Sequence, residues 1–371
     1  MTNGAVYLDH NATTPLRPEA RRAVEAAFAT TGNPSSAHRF GRAARRAVED
    51  AREQLARLVG ARPDAVVFTS GGTEANALAL AGAGRRRVLV SAIEHPSVLA
   101  AAPGATRIPV DGDGTVDLAA FENALAADPE PALVSIMLAN NETGAIQPVA
   151  KAAEIARRFG ALVHCDAVQA AGKIAVDVRA LGAHLVSLSG HKFGGPMGTG
   201  ALIVDDAVSL AALIGGGGQE RGRRAGTENV PGIAGLGAAA EAAWAGLDAF
   251  ARLADWRDAL ETRALAAAPS ARVVGRGAAR LPNTSCLALP GMAAETQVMA
   301  LDLAGVAVGA GAACSSGKTK ASPVLAAMGL DADTAGSAIR ASLGWTTGEG
   351  DIERFIEAWT ALAARAQAAA A

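Results

Sequence analysis

The chain is poor in several residue types, and each scarcity excludes something. Three cysteines, Cys165, Cys286 and Cys314, make no disulfide framework and no Cys-x-x-Cys occurs, which fits a reducing compartment. Six histidines are scattered without His-Glu-x-x-His or similar ligand spacing, so no dedicated metal site is expected. Neither sign of charge dominates: 34 Lys and Arg against 36 Asp and Glu leave a net charge of -2. A general nucleic-acid or membrane-surface binder needs a strong basic excess, so both classes are disfavoured. No apolar run reaches the roughly 18 residues of a membrane-spanning helix. The opening MTNGAVYLDHNATTP has no basic region followed by an apolar core, which predicts no signal peptide and a cytoplasmic location. Aromatic residues are only 4% of the chain. No internal repeat is visible.

Half of the 371 residues are apolar, enough to bury the core of one large or two ordinary domains. Apolar runs of strand length fall at 65–69, 87–91, 107–110, 133–139, 162–166, 184–189 and 201–204, with helical patterns between most of them, as at 73–81, 118–126 and 149–159. Ahead of these come a short strand at 6–9, a helix over 18–29, and a helix over 36–59 capped by Asn33-Pro34-Ser35-Ser36. The alternation predicts an α/β fold with a mainly parallel seven-stranded sheet and helices on both faces. After Glu228 the pattern changes to an Ala-rich helical region over 233–267, interrupted near Gly246, then short strands at 272–274, 284–289, 307–309 and 339–343 and helices over 295–303 and 352–367. This predicts a smaller α+β domain. The expected division is 15–250 for the large domain, and 1–14 with 251–371 for the small one.

Ligands on open parallel sheets bind at the carboxyl ends of the strands. The first such end runs into Ser70-Gly71-Gly72-Thr73-Glu74 and a helix start. It reads either as a capped turn or as a cradle whose free amides attract an anion. The next ends carry His95, then Asn140 and Asn141, then Asp166 with Gln169, then Ser189, His191 and Lys192. Side chains alternate along a strand, so an Asp166 facing a ligand turns Cys165 into packing. Lys192 is either an ordinary rim lysine or an amine whose pKa burial lowers enough to make it a Schiff-base nucleophile.

Five consecutive strand ends with these side chains suit pyridoxal 5'-phosphate. Lys192 can attach it, and Asp166 can keep the pyridine nitrogen protonated. His95 can stack on the ring. Gly72, Thr73 and Ser189 can cup the phosphate, and Asn141 and Gln169 can hydrogen-bond the phenolic oxygen. Cys314 stands apart, in a Gly/Ala/Ser-rich stretch over 309–322 without periodicity, which predicts a mobile loop. Cys165 and Cys286 read as core thiols.

Ten stretches in order carry a family resemblance: YLDHNATTP, NPSSAHRFG, FTSGGTEAN, EHPSV, SIMLANNETGAIQP, HCDAVQAAGK, SLSGHKFGGPMG, GGGQERGRRAGTEN, GAACSSGK and IRASLG. The chain resembles the class V aminotransferase-like enzymes, and among them the NifS/IscS-type cysteine desulfurases. The resemblance implies the type I, aspartate-aminotransferase-like fold of pyridoxal-phosphate enzymes. It implies that Lys192 holds the cofactor amid His95, Asp166, Gln169, Ser189, His191 and Thr73. It implies that Thr227 reaches the phosphate of the other subunit of a homodimer, that Arg340 clamps the carboxylate of L-cysteine, and that Asn141 touches both cofactor and substrate. Cys314 would take the sulfur as a persulfide, releasing L-alanine, and pass it to an acceptor such as an iron–sulfur scaffold or a tRNA-thiolation partner. Cys314 would also be the candidate for a transient iron–sulfur ligand, with no permanent metal. The loop resembles the long-loop group. The sequence departs from the pattern at Gly194, Met197, Ala75, Ala77, Lys318 and Lys320, and none of these departures removes a chemical role. The alternative is another class V aminotransferase or lyase, such as a selenocysteine lyase, with the same Lys192 and Asp166. A non-enzymatic sulfur carrier would need no cofactor.

Overall fold

The computed structural model describes residues 5–311 and 322–370. Among the described residues there are twelve strands: β1 (Val6–Leu8), β2 (Val66–Thr69), β3 (Arg87–Ser91), β4 (Thr106–Ile108), β5 (Ala132–Ser135), β6 (Leu162–Asp166), β7 (Leu185–Ser189), β8 (Gly200–Val204), β9 (Arg272–Val273), β10 (Thr284–Ala288), β11 (Val306–Ala310) and β12 (Ala338–Ser342). Seven form one sheet in the order β2-β8-β7-β6-β5-β3-β4. Within it β3 to β7 run parallel, and β8 pairs antiparallel with both β7 and β2. The expected mainly parallel sheet is therefore present, with β8 as its reversed strand.

Both faces of this sheet are covered, which is why its strands read as continuous apolar runs. Val66, Phe68, Leu89, Val134, Val163 and Val186 pack into a core on one face. Val67, Val90, Leu133, Leu162, Leu185 and Leu202 pack on the other. Period-two alternation thus sets which side chain serves which layer. Cys165 belongs to the first core and is 0% exposed, so its neighbour Asp166 is turned the opposite way.

Five strands form a second sheet in the order β1-β11-β12-β10-β9. It packs against the helices Leu253–Ala267 and Glu349–Ala370. The latter buries Ile352, Phe355, Ile356, Trp359, Leu362 and Ala363, a helical stripe of spacing 3 and 4. Trp359 also donates from Nε1 to the Ala264 carbonyl at 3.1 Å, so the buried indole keeps its hydrogen bond.

One expected helix starts late. The helix expected over 36–59 is Arg39–Leu58, capped by His38, whose Nδ1 accepts from the Gly41 amide at 3.2 Å. Asn33 instead closes a local turn, its Oδ1 accepting from the Ser35 amide at 2.9 Å. The Ser36 carbonyl then folds back onto Gly41, where no side chain has room. Gly246 divides the Ala-rich region as expected, into Val230–Ala245 on one side and Leu247–Ala251 with Leu253–Ala267 on the other.

The two sheets share the N-terminal segment. β1 pairs with β11, and the turn that follows, Asp9 to Pro15, then passes over the carboxyl ends of β6 and β7. This turn brings distant parts of the chain into one site.

Candidate active site

The β2 end leads into the helix Gly72–Gly82, whose N-cap is Gly71 at φ 155°, a backbone conformation rare for residues with a side chain. A Cβ built on Gly71 meets no atom within 4 Å, so the helix start faces open space. A Cβ on Gly72 would lie 2.9 Å from Val168 Cγ2 and 3.4 Å from Ser189 Cβ. The ends of β2, β6 and β7 therefore meet at one cradle of free helix amides. Ser189 is buried and Thr73 exposed at its rim.

Asp166 closes the β6 end, buried at 5% exposure. One oxygen accepts from the Val168 amide at 3.0 Å and the other from Asn76 Nδ2 at 2.8 Å. Asn76 also donates to Ser97 Oγ at 2.9 Å, and that hydroxyl meets His95 Nδ1 at 2.8 Å. A polar chain thus links Asp166 to His95 at the neighbouring strand end. Surrounding protein pushes the His95 pKa down, against the pull of Asp166 and with the help of the Lys192 charge. Asn76 was not singled out from sequence. Its position in the helix, facing back into the sheet end, carried no local signal.

Lys192 follows β7. Its Nζ donates to the carbonyls of Asn11 at 2.6 Å and Ala12 at 2.9 Å. Burial, then the Arg340 charge, lower its pKa to about 8, opposed by Asp166 and Asp9. A neutral amine has two N–H groups, and two carbonyls satisfy them, leaving the lone pair free. Asn11 is the centre of this region. Its carbonyl also accepts from Gln169 Nε2 at 2.9 Å, and its Oδ1 accepts from Lys173 Nζ at 2.7 Å and from Asn283 Nδ2 at 3.1 Å. Lys173, 3% exposed, donates its other bond to Gln169 Oε1 at 2.6 Å, and burial beside Lys192 pushes its pKa well down. His191 reaches the same turn, Nδ1 to Thr13 Oγ1 at 3.2 Å.

The second sheet supplies a cation. Arg340 on β12 is 6% exposed, donating to Asp9 Oδ1 at 2.7 Å and to the Asn141 carbonyl at 3.1 Å. Its Nε is buried and has no partner. Such an orphaned donor on a guanidinium is suited to a carboxylate. Asn141 is half-buried, and its carbonyl accepts from Asn11 Nδ2 at 3.2 Å as well.

Thr227 is exposed on a loop held by ion pairs. Glu220 and Arg221 in that loop adopt left-handed φ of 48° and 58°. The Glu220 carboxylate receives Arg52 Nη1 at 2.9 Å, Arg52 Nη2 at 2.8 Å and the Phe68 amide at 2.9 Å. Arg224 Nε meets Glu74 Oε1 at 2.8 Å, tying the loop to the helix start after Gly72.

Cys165 and Cys286 are buried free thiols. Burial pushes Cys165 well above the usual range and Cys286 up to about 12, so neither is a nucleophile near neutrality. Cys314, with Lys318 and Lys320, lies outside the described residues. Among the described residues no group of His, Cys, Asp and Glu side chains could hold a metal ion. No helix there is long and apolar enough to cross a membrane.

A lysine and an aspartate thus stand at adjacent ends of a mostly parallel sheet, and an arginine is contributed by a second sheet. The chain belongs to the aminotransferase class-V family, whose model matches residues 6–355. Its relatives are more specific. It is 49% identical to a cysteine desulfurase of Cereibacter sphaeroides, over 95% of this chain and 94% of that one. Among solved structures it superposes on a NifS-like protein from Rickettsia africae with TM-score 0.88 and 36% identity, covering 96% of this chain and 99% of the other. It also superposes on SspA, solved in complex with cysteine, with TM-score 0.77 and 31% identity, covering 91% and 98%.

Proposed function

We infer that this protein is a pyridoxal-phosphate-dependent cysteine desulfurase that converts L-cysteine to L-alanine and passes the sulfur on through Cys314. The observation that carries the reading is the convergence of Lys192, Asp166 and the Gly72 helix start at adjacent strand ends, with Arg340 of the second sheet close enough for its charge to lower the Lys192 pKa and with a buried, unpaired Nε. The residues fit the cofactor. The open space at Gly71 and the free helix amides suit a phosphate, Asp166 suits a protonated ring nitrogen, and Lys192 holds the reactive amine. His95, Gln169, Ser189, His191, Thr73 and Asn141 are the further cofactor contacts we propose, with Thr227 serving the other subunit of a homodimer.

When bound, pyridoxal phosphate supplies the electron sink for the bonds around the substrate Cα. The chain does the rest. Arg340 orients the cysteine carboxylate, and Asn141 holds the same end of the substrate. Lys192, with a pKa of about 8, can hold or release a proton near neutral pH. The Cys314 thiolate forms an S–S bond to the substrate sulfur as the Cβ–S bond breaks. The electron pair of that bond stays on carbon and is protonated to give alanine. Sulfur is oxidised and carbon reduced, so no outside redox partner is needed. The outer sulfur of the persulfide then passes to an acceptor in iron–sulfur assembly or thiolation, and Cys314 serves as a transient cluster ligand only while docked there. A cytoplasmic location, and the division into 15–250 and 1–14 with 251–371, belong to the same proposal.

The test is to incubate the holoenzyme with L-cysteine and a reductant and measure alanine and sulfide together. Equal amounts of both support the reading. Alanine without sulfide refutes it. A preference for selenocysteine, with little turnover of cysteine, points to the lyase alternative.

A further inference from the structure

Glu142 lies in the turn after β5, and its side chain is used by none of the steps above. It is 4% exposed, and its backbone amide is fixed by Asn140 Oδ1 at 2.9 Å. Its carboxyl sits where the chain leaves β11 and where it returns. Ser322 Oγ donates to Glu142 Oε2 at 2.6 Å. The same Oε2 occupies the place a side chain on Gly311 would take. A Cβ on Gly311 would also lie 3.3 Å from Ser322 Cβ, so the two ends are neighbours over one carboxyl oxygen. Ser322 in turn caps the helix Pro323–Ala327, accepting from the Leu325 amide at 3.2 Å. Gly311 and Ser322 bracket the stretch that contains Cys314.

We propose that Glu142 is a positioning residue for sulfur transfer. Its carboxyl holds the two described ends, Gly311 and Ser322, between which the Cys314 stretch runs, without touching substrate. The proposal rests on the reading of Cys314 as sulfur acceptor.

The charged and titratable groups facing Glu142 are few. Arg340 on β12 favours the carboxylate, and Cys286 on β10 is an uncharged thiol near neutrality. Burial outweighs the Ser322 hydrogen bond and Arg340, and holds the Glu142 pKa up at about 7. The anchor therefore changes from acid to carboxylate within the working range of a cytoplasmic enzyme.

The test uses the holoenzyme and a single turnover with saturating cysteine, read as the mass of the Cys314 peptide. Glu142→Ala should slow persulfide formation by about tenfold to a hundredfold, the scale of misplacing a reacting group by about 1 Å. The KM for cysteine and the cofactor absorption spectrum should not change. Glu142→Gln keeps an acceptor oxygen but cannot titrate. It should restore the rate and remove a step near pH 7 from its pH profile. Ser322→Ala, which leaves Glu142 intact, should slow the same step, and it stands in if Glu142→Ala does not fold. Wild-type rates in Glu142→Ala or Ser322→Ala overturn the proposal, as does a slowed rate accompanied by a changed cofactor spectrum. Cys314→Ser in the same assay separates the two levels. If it still yields alanine and sulfide at the normal rate, the Cys314 reading itself is wrong. If it is inactive while Glu142→Ala is normal, only the Glu142 proposal fails.

Discussion

Lys192 should behave as a neutral amine far more often than a free lysine does. Its pKa falls from 10.5 to about 8. That difference corresponds to about 3 kcal/mol of preference for the uncharged form, and to free amine on the order of a hundredfold more abundant at pH 7. The causes make opposite predictions for two variants. Arg340→Met removes a cation that disfavours the ammonium, so the Lys192 pKa should rise. Asp166→Asn removes an anion that favours the ammonium, so it should fall. The assay is carbamylation of the cofactor-stripped protein by cyanate across a pH series, with the Lys192 peptide quantified by mass spectrometry. The rate should level off near pH 8 in the parent and shift as stated in the variants. Stability follows with a defined sign. Below about pH 8 the folded protein carries a buried ammonium and its full cost. As pH rises from there towards 10.5 the unfolded chain stays protonated while the folded one does not, and the cost is relieved. Lys192→Met should lose that rise. A Lys192 midpoint that stays near 10.5, or one that Arg340→Met leaves unmoved, refutes the reasoning.

Breaking the buried Arg52–Glu220 pair by Glu220→Ala should destabilise the protein by about 3 kcal/mol in denaturant unfolding, at the low end for such pairs because Glu49 still partners Arg52. Arg52→Met with Glu220→Leu should recover most of the loss, and an unfolding curve that shows no recovery would sink that account. Asn76→Ala removes a charge-assisted hydrogen bond to Asp166 and should weaken cofactor binding about tenfold, measured by titrating the stripped protein with pyridoxal phosphate. Cys314→Ser should keep the cofactor spectrum and lose persulfide formation, checked by mass spectrometry after one turnover.

Much of the frame was legible because parallel strands buried on both faces must be apolar and of strand length. The runs at 87–91 and 162–166 are β3 and β6 residue for residue. Alternation alone separated Cys165 from Asp166. The cap at His38 was not legible, because it depends on Ser36 folding back over Gly41, and Asn33 offers an equally good local cap.

What the sequence by itself determined is the list of strand ends and the side chain or helix start each one carries: the Gly72 helix start, His95, Asn141, Asp166 and Lys192. Those depend on local periodicity, and local periodicity is written in the chain. Only the tertiary structure decided what stands behind them. Asn11 joins Lys192, Gln169 and Lys173 from across the chain, Asp9 holds Arg340, Asn76 holds Asp166, and Glu142 takes both Gly311 and Ser322. Asn11 and Lys173 are 162 residues apart, and Asp9 and Arg340 are 331 apart. Such contacts arise when β1 joins the second sheet and lays its turn across the first, and no spacing along the sequence encodes that meeting.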